Sequence, residues 1–142
     1  MRFFDASALV KRYVRERAST RVRRLLRRGD VAVCRLSEVE VVAAFARLAR
    51  DRAMSVAQRD RAVAAFAADL AAWTVVEIQP DVTKTARRLL LRHPLRAGDA
   101  IQLGAALVLQ EALAQPIDEF VAYDEQLIEA ARREQLTVAS SR

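Results

Sequence analysis

Residues 1–10 read MRFFDASALV, and this opening decides the fold. Phe3 and Phe4 read as the buried part of a short strand over 2–5, and a helical stretch near 7–15 follows almost at once. Asp5 stands at the junction. A carboxylate that directly follows a Phe-Phe pair is costly to desolvate unless it is hydrogen-bonded or meets a cation. A strand that ends in an acid and turns straight into a helix is the first unit of an alternating α/β chain.

The same alternation runs outward from that unit. A second helix is expected near 19–28, then a buried strand VAVC at 31–34 after the Gly29-Asp30 turn. Ser37 starts a long amphipathic helix to about residue 52, and Ser55 starts another to about Trp73, with Val63, Phe66, Ala67 and Leu70 at helical spacing. VVEI at 75–78 reads as a strand, Pro80-Asp81 as a helix start, and 99–114 as a further helix after the break RHPLRAG. Residues 119–123 read as a strand, 125–134 as a helix, and LTVA at 136–139 as a last strand. Short β-rich runs separated by helices predict a parallel sheet covered on both faces. Ligands of such sheets bind beyond the carboxyl ends of the strands, where Asp5 and Asp124 fall.

The 142 residues suit one domain over 1–142, and only three Gly and three Pro leave little room for long loops. No stretch reads as a linker, a repeat, a signal-peptide core or a membrane span, so a cytoplasmic location is expected. A single cysteine, Cys34, excludes an internal disulfide and a Cys-cluster zinc site, and reads as a small core residue. The lone His93, before Pro94, gives little to a histidine-based metal site or a Ser/His/Asp triad and reads as a loop residue. Trp73 and the phenylalanines fall mainly on apolar faces, a core pattern rather than a base-stacking platform.

The net charge of +6 is concentrated. Residues 11 to 28 carry Lys11, Arg12, Arg15, Arg17, Arg21, Arg23, Arg24, Arg27 and Arg28 against Glu16 alone, and a second basic stretch holds Lys84, Arg87, Arg88, Arg92 and Arg96. Solvated helix faces could account for them. Clustered Arg beside acids also suits a polyanion, and Arg12, Arg23, Arg24, Arg27 and Arg28 are candidates to hold the phosphates of a nucleic acid.

Four acids end or open buried-looking segments: Asp5, Glu40 in SEVEVVAAFARLAR, Asp99 in RAGDAIQLGAAL, and Asp124 after EFVAY. Converging, they would repel one another and raise their pKa values unless a divalent ion offset the repulsion. Carboxylates and retained water suit Mg²⁺ or Mn²⁺, and the chemistry such a pocket serves best is attack of water on a phosphodiester. Each acid also has a purely structural reading. Asp5, Asp99 and Asp124 can be helix N-caps, with Ser7 equally placed to cap in the first case. Ser37 and Glu40 form a capping-box pattern that would fold Glu40 back on the Ser37 amide.

Taken in order, FFDASALVKRY, LSEVEVVAAFARL, RAGDAIQLGAAL and FVAYDEQLIEAA resemble the successive motifs of the PIN domain, most closely its VapC-type toxin branch, over residues 1 to about 138. The resemblance implies a three-layer α/β/α fold with a central, mostly parallel sheet, and a Mg²⁺- or Mn²⁺-dependent endoribonuclease, so that RNA would be the nucleic acid held by Arg12, Arg23, Arg24, Arg27 and Arg28. It maps a carboxylate quartet onto Asp5, Glu40, Asp99 and Asp124. Asp5 and Asp99 would be the principal ligands, and Ser7 would hold the site. It turns the reading of Glu40 from cap to ligand, direct or through water. It also implies a cognate VapB-like antitoxin and a homodimer, for which the apolar surplus of the helices at 37–52 and 55–73 offers a surface. Gly98, preceding Asp99, departs from the family pattern without removing a ligand. The rivals are a housekeeping PIN nuclease without an antitoxin and a catalytically weak RNA-binding module. A haloacid-dehalogenase-type phosphotransfer domain is disfavoured because Asp5-Ala6-Ser7 lacks its second Asp.

Overall fold

A computed structural model describes residues 1–139. The chain runs β1 (Arg2–Phe4), α1 (Ala6–Tyr13), α2 (Ser19–Leu26), β2 (Val31–Cys34), α3 (Ser37–Arg50), α4 (Val56–Ala72), β3 (Thr74–Val76), α5 (Pro80–Arg92), α6 (Ala97–Leu113), β4 (Glu119–Val121) and α7 (Glu125–Arg133). The strands form one sheet in the order β3-β2-β1-β4, and every pairing is parallel. Phe4 lies opposite Val33 on one side and Val121 on the other, so β1 is central and β2 and β4 flank it.

The side-chain alternation of a strand sorts the core into two layers. Phe3, Ala32, Cys34, Phe120 and Ala122 face α5, α6 and α7, and Phe3 and Phe120 stack there with ring centroids 5.7 Å apart. Phe4, Val31, Val33 and Val121 face the other way, onto Leu9 of α1, Val41 and Phe45 of α3, and Phe66 and Leu70 of α4. Both β1 phenylalanines are fully buried, and each contributes about 1.5–3 kcal/mol of hydrophobic stabilisation. The layers are therefore α/β/α, with the short central strand as their keystone. Within the first layer α5 and α6 pack closely, because a Cβ at Gly104 would lie 3.2 Å from the Val82 carbonyl oxygen.

Several local expectations need correction. The strand expected at 75–78 is Thr74–Val76: pairing with β2 ends at Cys34 opposite Val76, and a tight turn follows, with Gln79 N–H donating to Glu77 O at 2.9 Å. Residues 136–139 add a single parallel bridge, Phe120 to Val138, rather than a strand. Ser37 does not cap α3: the cap position is Leu36, without a side-chain hydrogen bond. The fully buried Ser37 hydroxyl instead accepts from Gln102 Nε2 at 2.9 Å, so the capping-box reading of Glu40 fails. His93 is a loop residue, as expected, but a fixed one. It caps the C-terminus of α5, is buried, and places Nε2 2.7 Å from Glu134 Oε1.

Order along the sheet locates the site. The chain steps from β1 to β2 to β3 on one side, then returns to lay β4 on the other side of β1. The crevice of such a sheet opens at this switch point, beyond the carboxyl ends of β1 and β4.

Candidate metal centre and nucleic-acid interface

Asp5 continues β1 by one hydrogen bond, its N–H donating to Val121 O at 3.0 Å, and then caps α1. Its Oδ1 accepts from Ser7 N–H at 2.6 Å, Ser7 Oγ at 2.6 Å and Ala8 N–H at 3.2 Å. The cap is thus Asp5 and not Ser7, and all three bonds fall on one oxygen. Ser7 Oγ also accepts from Tyr123 N–H at 3.2 Å, which ties the start of α1 to the segment leaving β4. Asp5 is only 4% exposed. Burial pushes its carboxyl up to about 6, the Ser7 and Ala8 hydrogen bonds pull against that, and the charge of Asp99 adds to it.

Glu40 lies in the first turn of α3 and is half-buried. Burial raises its pKa, a hydrogen bond from Gln102 lowers it, and Asp99 raises it further. Gln102 Nε2 reaches Glu40 Oε1 at 3.4 Å, a long contact made beside the shorter one to Ser37. Gln102 itself is 1% exposed, and its Oε1 has no partner among the described residues. Gly98 packs on the same carboxylate: a Cβ there would stand 3.4 Å from Glu40 Oε1. An alanine there would make ordinary van der Waals contact with Glu40, so space alone does not require a glycine before Asp99.

Asp99 is in the first turn of α6, whose cap is Arg96, so the N-cap reading of Asp99 does not hold. Its pKa is raised by burial and by the charge of Asp124, while Arg96 opposes the rise. Asp124 is the N-cap of α7 and accepts from Leu127 N–H at 2.9 Å, which bears out its structural reading and leaves it exposed. Asp5, Glu40 and Asp124 each interact with the charge of Asp99. The four acids therefore share one electrostatic neighbourhood, with Asp99 at its centre.

A cleft of about 430 Å³ opens there, lined by Ser7, Lys11, Glu40, Arg47, Tyr123 and Asp124, among others. Asp5 and Asp99 are not in its lining. Among the described residues, no three His, Cys, Asp or Glu side chains stand where they could together hold an ion directly. The donor set is nevertheless all carboxylate, with raised pKa values at Asp5, Glu40 and Asp99. Such donors fit a hard divalent ion that keeps much of its water and binds through one or two carboxylates.

The candidate RNA-binding arginines divide. Arg12 is committed to the fold: Nε and Nη2 donate to Asp69 at 2.6 and 3.2 Å, and Tyr13 donates to the same carboxylate at 2.6 Å. Arg23 Nε donates to the Arg12 carbonyl at 3.0 Å. Arg24, Arg27 and Arg28 are exposed on or just after α2. Two residues at the candidate site are not singled out by the sequence, Tyr123 and Gln102, and Lys11 stands out there only as part of the basic stretch. For Gln102 a signal existed, because it lies three residues after Asp99 and so on the same helix face.

The PIN domain family model matches residues 2–134, so the chain belongs to the PIN domain family. Among curated proteins none matches it. Its fold is similar to that of VapC20 from Mycobacterium tuberculosis, a toxin that cleaves the sarcin-ricin loop, with 19% identity, a TM-score of 0.66, and 92% of this chain and 95% of that one covered. It also resembles a toxin–antitoxin complex from Klebsiella pneumoniae, at 15% identity and TM-score 0.65, with 100% and 98% covered. A third likeness is to VapBC2 from Rickettsia felis bound to a promoter DNA fragment, at 12% identity and TM-score 0.64, with 98% of each chain covered.

Proposed function

We propose that this chain is a divalent-metal-dependent endoribonuclease that hydrolyses RNA phosphodiester bonds, and that it acts as the toxin of a VapBC-type pair. What carries the reading is that Asp5 and Glu40 each feel the charge of Asp99, and Asp99 that of Asp124. A cluster that repels itself is costly unless a cation resolves it. A bound Mg²⁺ or Mn²⁺ would supply acidification of water and neutralisation of charge on the phosphoryl group.

The residues have separable tasks. Asp5 and Asp99 would hold the ion. Ser7 fixes one oxygen of Asp5 and ties the Tyr123 backbone to the start of α1. Gln102 restrains Glu40 from the α6 side. With its raised pKa, Glu40 can orient the attacking water and take its proton, and the exposed Asp124 completes the acidic wall.

The partner reading is supported by the structural neighbours that are toxin–antitoxin complexes. We place the chain in the cytoplasm, as one domain over 1–142, paired with a VapB-like antitoxin. An antitoxin Arg or Lys that reached past the cleft lining to the carboxylates behind it would pair with Asp5 or Asp99 and compete with the metal. Exposed Val39 on α3 and Val56 on α4, at 62% and 58%, support a homodimer through that hairpin. Incubating purified protein with single-stranded RNA and Mn²⁺ or Mg²⁺ tests the activity. Cleavage that stops with EDTA is expected, and RNA that stays intact with either metal would refute it.

A further inference from the structure

Two depressions share a wall. The acidic cleft and a larger groove of about 760 Å³ both have Lys11 and Tyr123 in their linings. Beyond that wall the groove is lined by Arg17 and Arg132, with Glu125 and Glu129 also present. Glu129 already accepts from Arg133 at 3.0 Å, which offsets one of the two acids. Lys11 Nζ stands 4.8 Å from the Tyr123 ring centroid, and the positive charge of Arg21 is felt at the Tyr123 hydroxyl. Lys11 also meets Glu16 at 3.4 Å, and the Glu16 side chain is 42% exposed. A pair of this kind is worth at most about 1 kcal/mol, so a phosphate can take the place of Glu16.

Four acids around a reactive phosphate repel the rest of the strand. Cations must hold the neighbouring phosphates, because phosphate contacts are what position a nucleic acid on a protein. We infer that single-stranded RNA leaves the acidic cleft over the Lys11–Tyr123 wall and lies along the groove beyond it, its backbone phosphates on Lys11, Arg17 and Arg132. Arg24, Arg27 and Arg28 line neither depression and stand off this path. The inference rests on the nuclease reading above and adds to it the route of the substrate.

Binding without cleavage tests it, using a fluorescently labelled single-stranded RNA and anisotropy in excess EDTA over a series of salt concentrations. Lys11→Met and Arg132→Gln should each weaken binding about tenfold at low salt and lower the log–log salt slope by about 0.7, the value for one lost phosphate contact on a single strand. The combined replacement of Arg24, Arg27 and Arg28 by Gln should leave the slope at its wild-type value. Circular dichroism checks the fold of each variant. Should Lys11→Met fail to fold, Arg132→Gln, at an exposed position of α7, carries the test. Wild-type affinity and slope in Lys11→Met and Arg132→Gln, or a loss confined to the α2 replacement, would overturn the route. If the wild-type protein also cleaves RNA, only the route is lost. A wild-type protein that neither binds nor cleaves RNA overturns the route and the nuclease reading together.

Discussion

Replacing Asp5 by Asn should stabilise the metal-free protein at neutral pH while destroying its activity. Burial and the Asp99 charge raise the Asp5 pKa from 3.8 to about 6. The folded protein therefore binds more protons than the unfolded chain between those values. Stability, whose slope with pH follows protons bound unfolded minus folded, then falls as pH rises through this window. At pH 7.5 the ionised carboxylate costs about 3 kcal/mol relative to its unfolded reference. Asn removes that cost at nearly constant volume, and it keeps the cap because an Asn side-chain oxygen accepts the same amide and hydroxyl hydrogen bonds. Urea unfolding in EDTA measures the effect. With an m-value of about 2 kcal/mol/M, the midpoint of Asp5→Asn should rise by about 1 M or more at pH 7.5. The gain should shrink as pH falls through this window and vanish below about pH 3, where Asp5 is protonated in both states. A midpoint that falls at pH 7.5, or a gain that does not depend on pH, would show that the Asp5 charge is not the source of strain in the pocket.

Other consequences are smaller in scope. Asp99→Asn should leave circular dichroism unchanged and abolish metal-dependent cleavage; full activity in that variant would remove Asp99 from the site. Gln102→Leu, which deletes the 3.4 Å restraint on Glu40, should lower kcat several-fold with little change in KM, and unchanged steady-state kinetics would deny Gln102 that role. Arg12→Ala breaks the Asp69–Tyr13 network and should cost about 1–2 kcal/mol in urea unfolding; wild-type stability would contradict it. Light scattering should give a dimer at micromolar concentration, reduced to monomer by Val39→Glu with Val56→Glu, and a monomeric wild-type protein would refute the hairpin interface. Inhibition by the cognate antitoxin should weaken as Mg²⁺ rises, whereas an antitoxin that leaves metal affinity untouched would act by blocking RNA alone.

Much of the architecture was readable because the chain punctuates itself. Phe3-Phe4 before Asp5, the Gly29-Asp30 turn before VAVC, and Pro80 at a helix start each mark a boundary where the structure has one. The four acids were readable for a related reason: each sits at an element end, where a carboxylate beside apolar residues stands out. The misses share a cause as well. Whether Ser37 caps its helix or turns inward depends on Gln102, which is 65 residues away in the chain. Arg12 looks like a surface cation until Asp69 arrives from α4, and Arg23 until its Nε meets the Arg12 carbonyl. His93 is the loop residue its sequence context suggests, but its burial against Glu134 is not visible there. Local patterns register a residue's type and neighbours in sequence, and these partners are supplied only by the tertiary fold. The final β segment failed differently: Val138 has strand character, but one bridge to Phe120 is all the sheet edge accepts.

The central claim is that Asp5, Glu40, Asp99 and Asp124 make one divalent-metal site. Titrating Mn²⁺ into the RNA-free protein at pH 7.5, with free ion followed by electron paramagnetic resonance, tests it without depending on the identity of the RNA. Saturable binding in the wild-type protein, much weakened in Asp99→Asn and lost progressively as pH falls below about 6 with protonation of Asp5, is the predicted result. A wild-type protein that binds no Mn²⁺ at millimolar concentration, or Asp99→Asn protein that binds it as tightly as wild type, would contradict the account.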